Sequence, residues 1–110
     1  MKAKYRIKKN EEFQKIISKK KSKANKTFII YFSNKALDYA RVGISVGKKL
    51  GNAVERNLYK RRLRMMIQEI FNHDTYPYDI IIIVRNNFIK QSYNENKNSL
   101  ENMLKTSTIK

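Results

Sequence analysis

The chain has 110 residues, with 25 Lys and Arg against 9 Asp and Glu and a formal net charge of +16. An ordinary small-domain surface carries about 2 to 8 net charges, so the excess points to an anionic partner, while a hydrophobic fraction of 41% excludes a disordered basic tail. Without cysteine there is no disulfide framework and no thiolate zinc site. No apolar run, Ile80–Val84 included, suits a signal peptide or a membrane span, so one cytoplasmic domain over residues 1–110 is expected.

In chain order, Asn10 reads as an N-cap, and Glu11 and Glu12 suit the positive end of a helix. Phe13, Ile16 and Ile17 fall on one side of it, and the lysine run Lys19–Lys21 closes it. The pattern permits a short strand around Lys23–Asn25 without demanding it. Residues 27–34 are β-branched and aromatic, which predicts a strand apolar on both faces. In residues 40–49, Val42, Ile44 and Val46 alternate with Gly43, Ser45 and Gly47, which predicts another strand. A long helix runs from Asn52 to about Phe71. Beyond the single proline, Pro77, the continuous apolar run Ile80–Val84 reads as a central strand buried on both faces. Ser92 and Glu95 have capping-box spacing, and Tyr93, Leu100, Met103 and Leu104 supply the buried stripe of a last helix. Helix, strands, helix, strand, helix is the order of an α+β sandwich.

The long helix carries most of the functional signal. At about 100° per residue, Tyr59, Leu63, Met66, Ile67 and Ile70 converge on a packing face. Asn57, Lys60, Arg61 and Arg64 gather opposite them at i, i+3, i+4 and i+7, where like charges repel. Charge runs are usually solvated helix faces with acidic partners, but this helix has only Glu55 and Glu69. Upstream, Lys48, Lys49 and Gly51 lead into a helix N-terminus, which favours phosphate. A basic surface running from loop to helix suits a folded nucleic-acid backbone better than a single phosphorylated metabolite, and arginine supplies bidentate phosphate contacts.

Three segments, "RIKKNEEFQKI", "VGISVGKKLGNAVERNLYKRRLR" and "DIIIIVR", together resemble the protein subunit of bacterial ribonuclease P, from Tyr5 to about Leu104. The resemblance implies an αβββαβα two-layer sandwich with a left-handed crossover, which handedness rules alone would not suggest. It implies that the chain assists removal of the 5′ leader from precursor tRNA, with the chemistry done by an RNA subunit and its Mg2+. Lys48, Lys49, Asn52, Arg56, Asn57, Lys60, Arg61 and Arg64 would then face that RNA. Phe13, Ile17 and Tyr31 would line a cleft for the leader, although residues of this type at such spacing are more often core. Tyr31 shares its strand face with Ile29 and Ser33, a more polar side than Phe28, Ile30 and Phe32, and a tyrosine there can stack a base. Two positions depart from the family pattern. Leu58 stands where arginine is usual, and its place on the wheel predicts the edge of the packing face. Gly47 stands where many members carry serine.

A catalyst acting alone is not expected. The one histidine, His73, lies in a loop-like stretch without a nearby nucleophile and reads as a surface residue. The acids are scattered, with no cluster for a two-metal nuclease, so no catalytic or metal-binding residue is assigned. "GISVGKK" has neither the glycine spacing nor the Ser/Thr of a phosphate loop. Two alternatives remain: a basic ribosomal-type RNA-binding protein, opposed by the Lys49–Arg64 pattern, and a protein-only nuclease, which would need acidic ligands. No membrane or small-molecule substrate is expected as a partner.

Overall fold

The computed structural model describes residues 1–105, so the expected domain limit at residue 110 lies outside the described residues. The elements are α1 (Asn10–Ser18), β1 (Ser22–Ala24), β2 (Phe28–Asn34), β3 (Val42–Ser45), α2 (Ala53–Ile70), β4 (Tyr78–Val84), α3 (Asn87–Lys90) and α4 (Tyr93–Met103). They follow the expected α+β order with one addition. At four residues, α3 is too short to show a helical period.

The helix starts are chemically explicit in α2 and α4. The Asn52 side chain accepts the Glu55 amide at 2.9 Å while the Glu55 carboxylate accepts the Asn52 amide at 2.9 Å, and Ser92 and Glu95 repeat the arrangement in α4. Each box satisfies two otherwise orphaned N–H groups. The start of α1 differs from expectation. Lys9 occupies the N-cap position without a side-chain cap, and Asn10 is already helical. Backbone directly upstream runs extended along the sheet edge, so the chain turns into the helix as soon as it leaves that edge.

One sheet of order β1-β2-β4-β3 organises the molecule, antiparallel except between β3 and β4. The apolar run of β4 is therefore central, as its two-sided hydrophobicity predicts. Phe28, Ile30, Phe32, Val42, Ile80 and Ile82 face α2 and α4, where they join Leu63, Met66, Ile67 and Leu100 in the main core. The opposite face meets α1 and the segment just before it, through a smaller cluster of Ile7, Ile16 and Ile81.

The hand of the β3–α2–β4 connection follows from a hydrogen bond. In an L-chain, a strand residue with its side chain toward the viewer and the strand running upward carries its N–H to the right. Ile80 faces α2, and its N–H donates to the Arg41 carbonyl at 3.0 Å. Seen from the α2 side, β3 therefore stands to the right of β4, and the chain passes leftward through α2. The crossover is left-handed, against the general preference.

Residues 1–9 form an arm along the outer edge of β3. Arg6 bridges Val42 in parallel, and the Ile7 amide donates to the Val42 carbonyl at 3.0 Å. Part of the exposed edge is thereby paired.

Candidate nucleic-acid interface

The stripe that binds α2 to the sheet is the expected one, with Tyr59, Leu63, Met66 and Ile67 buried and Ile70 half-buried. Just before the helix, Gly51 adopts φ +154°, and a Cβ there would sit 2.9 Å from the Glu55 Cβ and Oε1. Glycine is required at that turn because the capping carboxylate occupies the space a side chain would take. Lys48 and Lys49 are exposed on the turn Lys48–Leu50, which Leu50 anchors to the core.

Of the other expected contact residues, Asn52, Asn57 and Arg61 are exposed, and Arg56, Lys60 and Arg64 are half-buried. Asn52 already uses its side-chain oxygen as the cap. Asn57 and Arg61 point away from the sheet as the wheel predicts, whereas Lys60 and Arg64 lie against the arm beside Arg6 and Lys8. Burial and the neighbouring Arg6 charge push the Arg64 guanidinium below its ordinary value. Among the described residues, ion pairs join Arg41 to Glu12 and Asp79, and Lys97 to Glu69. None neutralises Lys48, Lys49, Arg56, Lys60, Arg61 or Arg64. A solvated face laced with salt bridges is therefore not what α2 presents.

Leu58 departs from its expected place. It is 38% exposed, on the outer side of α2 with Val54 and Met65, rather than at the edge of the packing face. Its direction is about 100° from Tyr59, outside the sector that Tyr59, Leu63, Met66 and Ile67 bury against the core. Gly47 has φ −69°, and a Cβ there would meet nothing within 4 Å, so nothing in the fold demands glycine.

The structure brings Phe13, Ile17 and Tyr31 to the sheet face opposite α2, all three half-buried. The Phe13 ring lies over Gly43, where a Cβ would come within 2.8 Å of its Cζ and 2.6 Å of the Ile81 Cδ1. Phe13, Tyr31 and Ile83 pack against the small cluster without being sealed by it. Ile29, Ile83 and Ser45 extend this half-open floor; of the three, period-2 alternation marks only Ser45 in the sequence.

His73 is not the free surface residue the loop suggests. It stacks on Tyr5 with centroids 3.9 Å apart, and its Nδ1–H donates to the Ala40 carbonyl at 2.7 Å. Burial pushes its pKa below the usual imidazole value, although the Ala40 bond opposes the shift. Its visible role is to fasten the arm. Arg41 ties α1 to the sheet, 2.7 Å from Glu12 and 3.4 Å from the buried Asp79. Among the described residues no three His, Cys, Asp or Glu side chains lie together as a metal site. Sequence reasoning missed Arg6 and Lys8; their signal was the alternation Arg6-Ile7-Lys8, an extended segment with cations on one side.

Fold and charge together define a class, a small α+β protein that presents a basic helix to a polyanion. Comparison with known proteins makes the class specific. The ribonuclease P family model matches residues 1–108. The ribonuclease P protein component of Mesoplasma florum is 50% identical over 105 residues, covering 94% of this chain and 96% of its own length. That of Bacillus cereus is 45% identical, covering 100% and 96%. The solved RNase P protein of Staphylococcus aureus superposes with a TM-score of 0.81 at 42% identity, covering 96% of each chain. For the Thermotoga maritima protein the TM-score is 0.78 at 29% identity, with 91% and 94% covered. The chain belongs to the ribonuclease P protein family. It is a protein component of the ribonucleoprotein endoribonuclease that matures tRNA 5′ ends.

Proposed function

We propose that the face formed by Lys48, Lys49, Asn52, Arg56, Asn57, Lys60, Arg61 and Arg64 binds the ribonuclease P RNA. The floor between α1 and the sheet, with Phe13, Ile17 and Tyr31, receives the 5′ leader of precursor tRNA. The observation that carries this reading is the basic α2 face without acidic partners, in a chain of this family. Such a face gains most when phosphates replace its counterions. Cleavage belongs to the RNA and its Mg2+, which supplies Lewis-acid chemistry there. Among the described residues no three His, Cys, Asp or Glu side chains lie together to hold that ion, and Glu12 and Asp79 hold Arg41 while Glu55 caps α2. The protein contributes positive charge near the RNA, positions the leader on its floor, and acts in the cytoplasm on nascent tRNA.

The test is reconstitution. The protein alone leaves precursor tRNA intact at any Mg2+ concentration and stimulates cleavage when the RNA subunit is added, most visibly at low Mg2+. Within the holoenzyme, Tyr31→Ala loses affinity for leader-bearing precursor by roughly 5- to 150-fold, the worth of one stacked base, while mature tRNA binds as before. Equal losses for both substrates would return Tyr31 to a purely structural role.

A further inference from the structure

Strand register arranges the α1 side of the sheet in rows. Arg41 (the residue before β3), Asp79 and Ser33 stand side by side across β3, β4 and β2, and Gly43, Ile81 and Tyr31 form the next row. Ile83 and Ile29 lie one row further on. The first row is polar and the other two are largely apolar, yet α1 covers the polar one. Asp79 is 2% exposed and Ser33 5%, whereas Tyr31, Ile83 and Ile29 stay half-buried. With Phe13, Ile16 and Ile17 on one side of it, α1 would bury more apolar surface over the other two rows.

Polar ties account for the mismatch. The Glu12 carboxylate lies 2.7 Å from the Arg41 guanidinium, which lies 3.4 Å from Asp79, and Asp79 also accepts the Arg41 amide at 2.8 Å. Past the other end of α1, the Lys19 ammonium donates to the Ser33 hydroxyl at 2.8 Å. Packing by itself holds the helix only lightly. Its start at Lys9 has no side-chain cap, and Ile16 is its one buried residue. Beside the ties a hollow of about 140 Å³, with Lys15 and Asn34 in its lining, lies between the helix and the sheet.

We propose that Glu12, Arg41 and Asp79 form a latch that parks α1 over the polar row and so keeps the apolar floor open for the leader. They are positioning residues, acting through α1 rather than by touching RNA, and the inference rests on the reading of that floor as the leader site. With the latch broken, the hydrophobic effect draws α1 along the strands by one row, about 7 Å. Phe13 then leaves Gly43 on β3, and the helix covers Tyr31 and Ile83 and shuts the leader out. An ion pair that merely stabilised the fold would lower stability when removed. A latch that opposes hydrophobic closure has another signature, in which leader binding is lost while stability is kept.

The test uses the full chain, free and in the holoenzyme reconstituted with the RNA subunit. Glu12→Ala opens the latch from the α1 side and leaves Arg41 in place, so the buried Asp79 keeps its partner. Glu11→Ala removes an equal charge from the neighbouring exposed position and is the control. In the holoenzyme, Glu12→Ala lowers affinity for leader-bearing precursor by at least about fivefold, the lower bound for one stacked base, while mature tRNA binds as before. In the free chain its urea midpoint does not fall, and nuclear Overhauser contacts between the Phe13 and Tyr31 rings strengthen. Glu11→Ala leaves all four readings at their wild-type values. Unchanged precursor affinity in Glu12→Ala, a loss shared by mature tRNA, or an equal loss in Glu11→Ala overturns the latch. So does a loss that tracks a lowered midpoint with the Phe13 ring still on Gly43. Tyr31→Ala in the same assay separates the latch from the reading beneath it. A leader-selective loss from Tyr31→Ala with none from Glu12→Ala sinks the latch alone, and no such loss from either variant sinks the leader reading itself.

Discussion

The two faces of the sheet are built from the same strands and treated in opposite ways. On the α2 side, Phe28, Ile30, Phe32, Ile80 and Ile82 have no exposed surface. On the α1 side, Ile81 is sealed while Ile29, Tyr31, Ile83 and Ser45 stay half-buried. Length is the physical reason. The 18 residues of α2 span about 27 Å, whereas the 9 of α1 span about 13 Å, roughly half of β2 and its approaches. Apolar character alone therefore does not mark a core. It marks a core where a helix is long enough to cover it, and leaves a half-open apolar face where none is.

The comparison is broken most directly from its sealed side. Phe32→Ala should cost about 3 to 5 kcal/mol in urea unfolding, with precursor and mature tRNA binding affected alike once the folded fraction is corrected. A leader-selective loss from Phe32→Ala would erase the distinction between the faces. Gly43→Ala comes next, at about 1 to 3 kcal/mol, because its Cβ enters the space of Phe13 and Ile81. Combining it with Phe13→Ala should recover part of that cost in a double-mutant cycle. Simple additivity would mean the Phe13 ring does not rest on Gly43.

Smaller effects sharpen the contrast on the α2 side. Gly47→Ala should raise stability by about 0.4 to 1 kcal/mol by restricting the unfolded chain, since its φ suits any residue and its Cβ meets open space. A lower melting temperature would show an unsuspected constraint on the turn before α2. Leu58→Ala should change unfolding free energy by less than about 0.5 kcal/mol, because the side chain is exposed. A loss comparable to that of Gly43→Ala would put Leu58 back on the packing face.

How much was legible can be seen along α2. Its stripe and the excess of cations opposite the stripe follow from local periodicity, whereas the cap at Asn52 is visible only in the structure. Leu58 shows the limit of the wheel: angle alone does not say how wide a sector the sheet covers. His73 shows another, since a loop-like stretch conceals a ring held by Tyr5 and Ala40 from far along the chain.

By itself the sequence determined the order of the main elements, the capping box at Ser92, the central position of β4 and the basic character of α2. Those depend on neighbours within one or two turns, where periodicity and side-chain chemistry suffice. The tertiary structure alone decided which face of the sheet stays open, because that is set by the reach of α1 over a sheet assembled from distant strands. It likewise decided that Arg6 and Lys8 meet Lys60 and Arg64. That meeting requires the arm to pair with β3 and α2 to cross the same edge, a contact between segments more than fifty residues apart that no local pattern encodes.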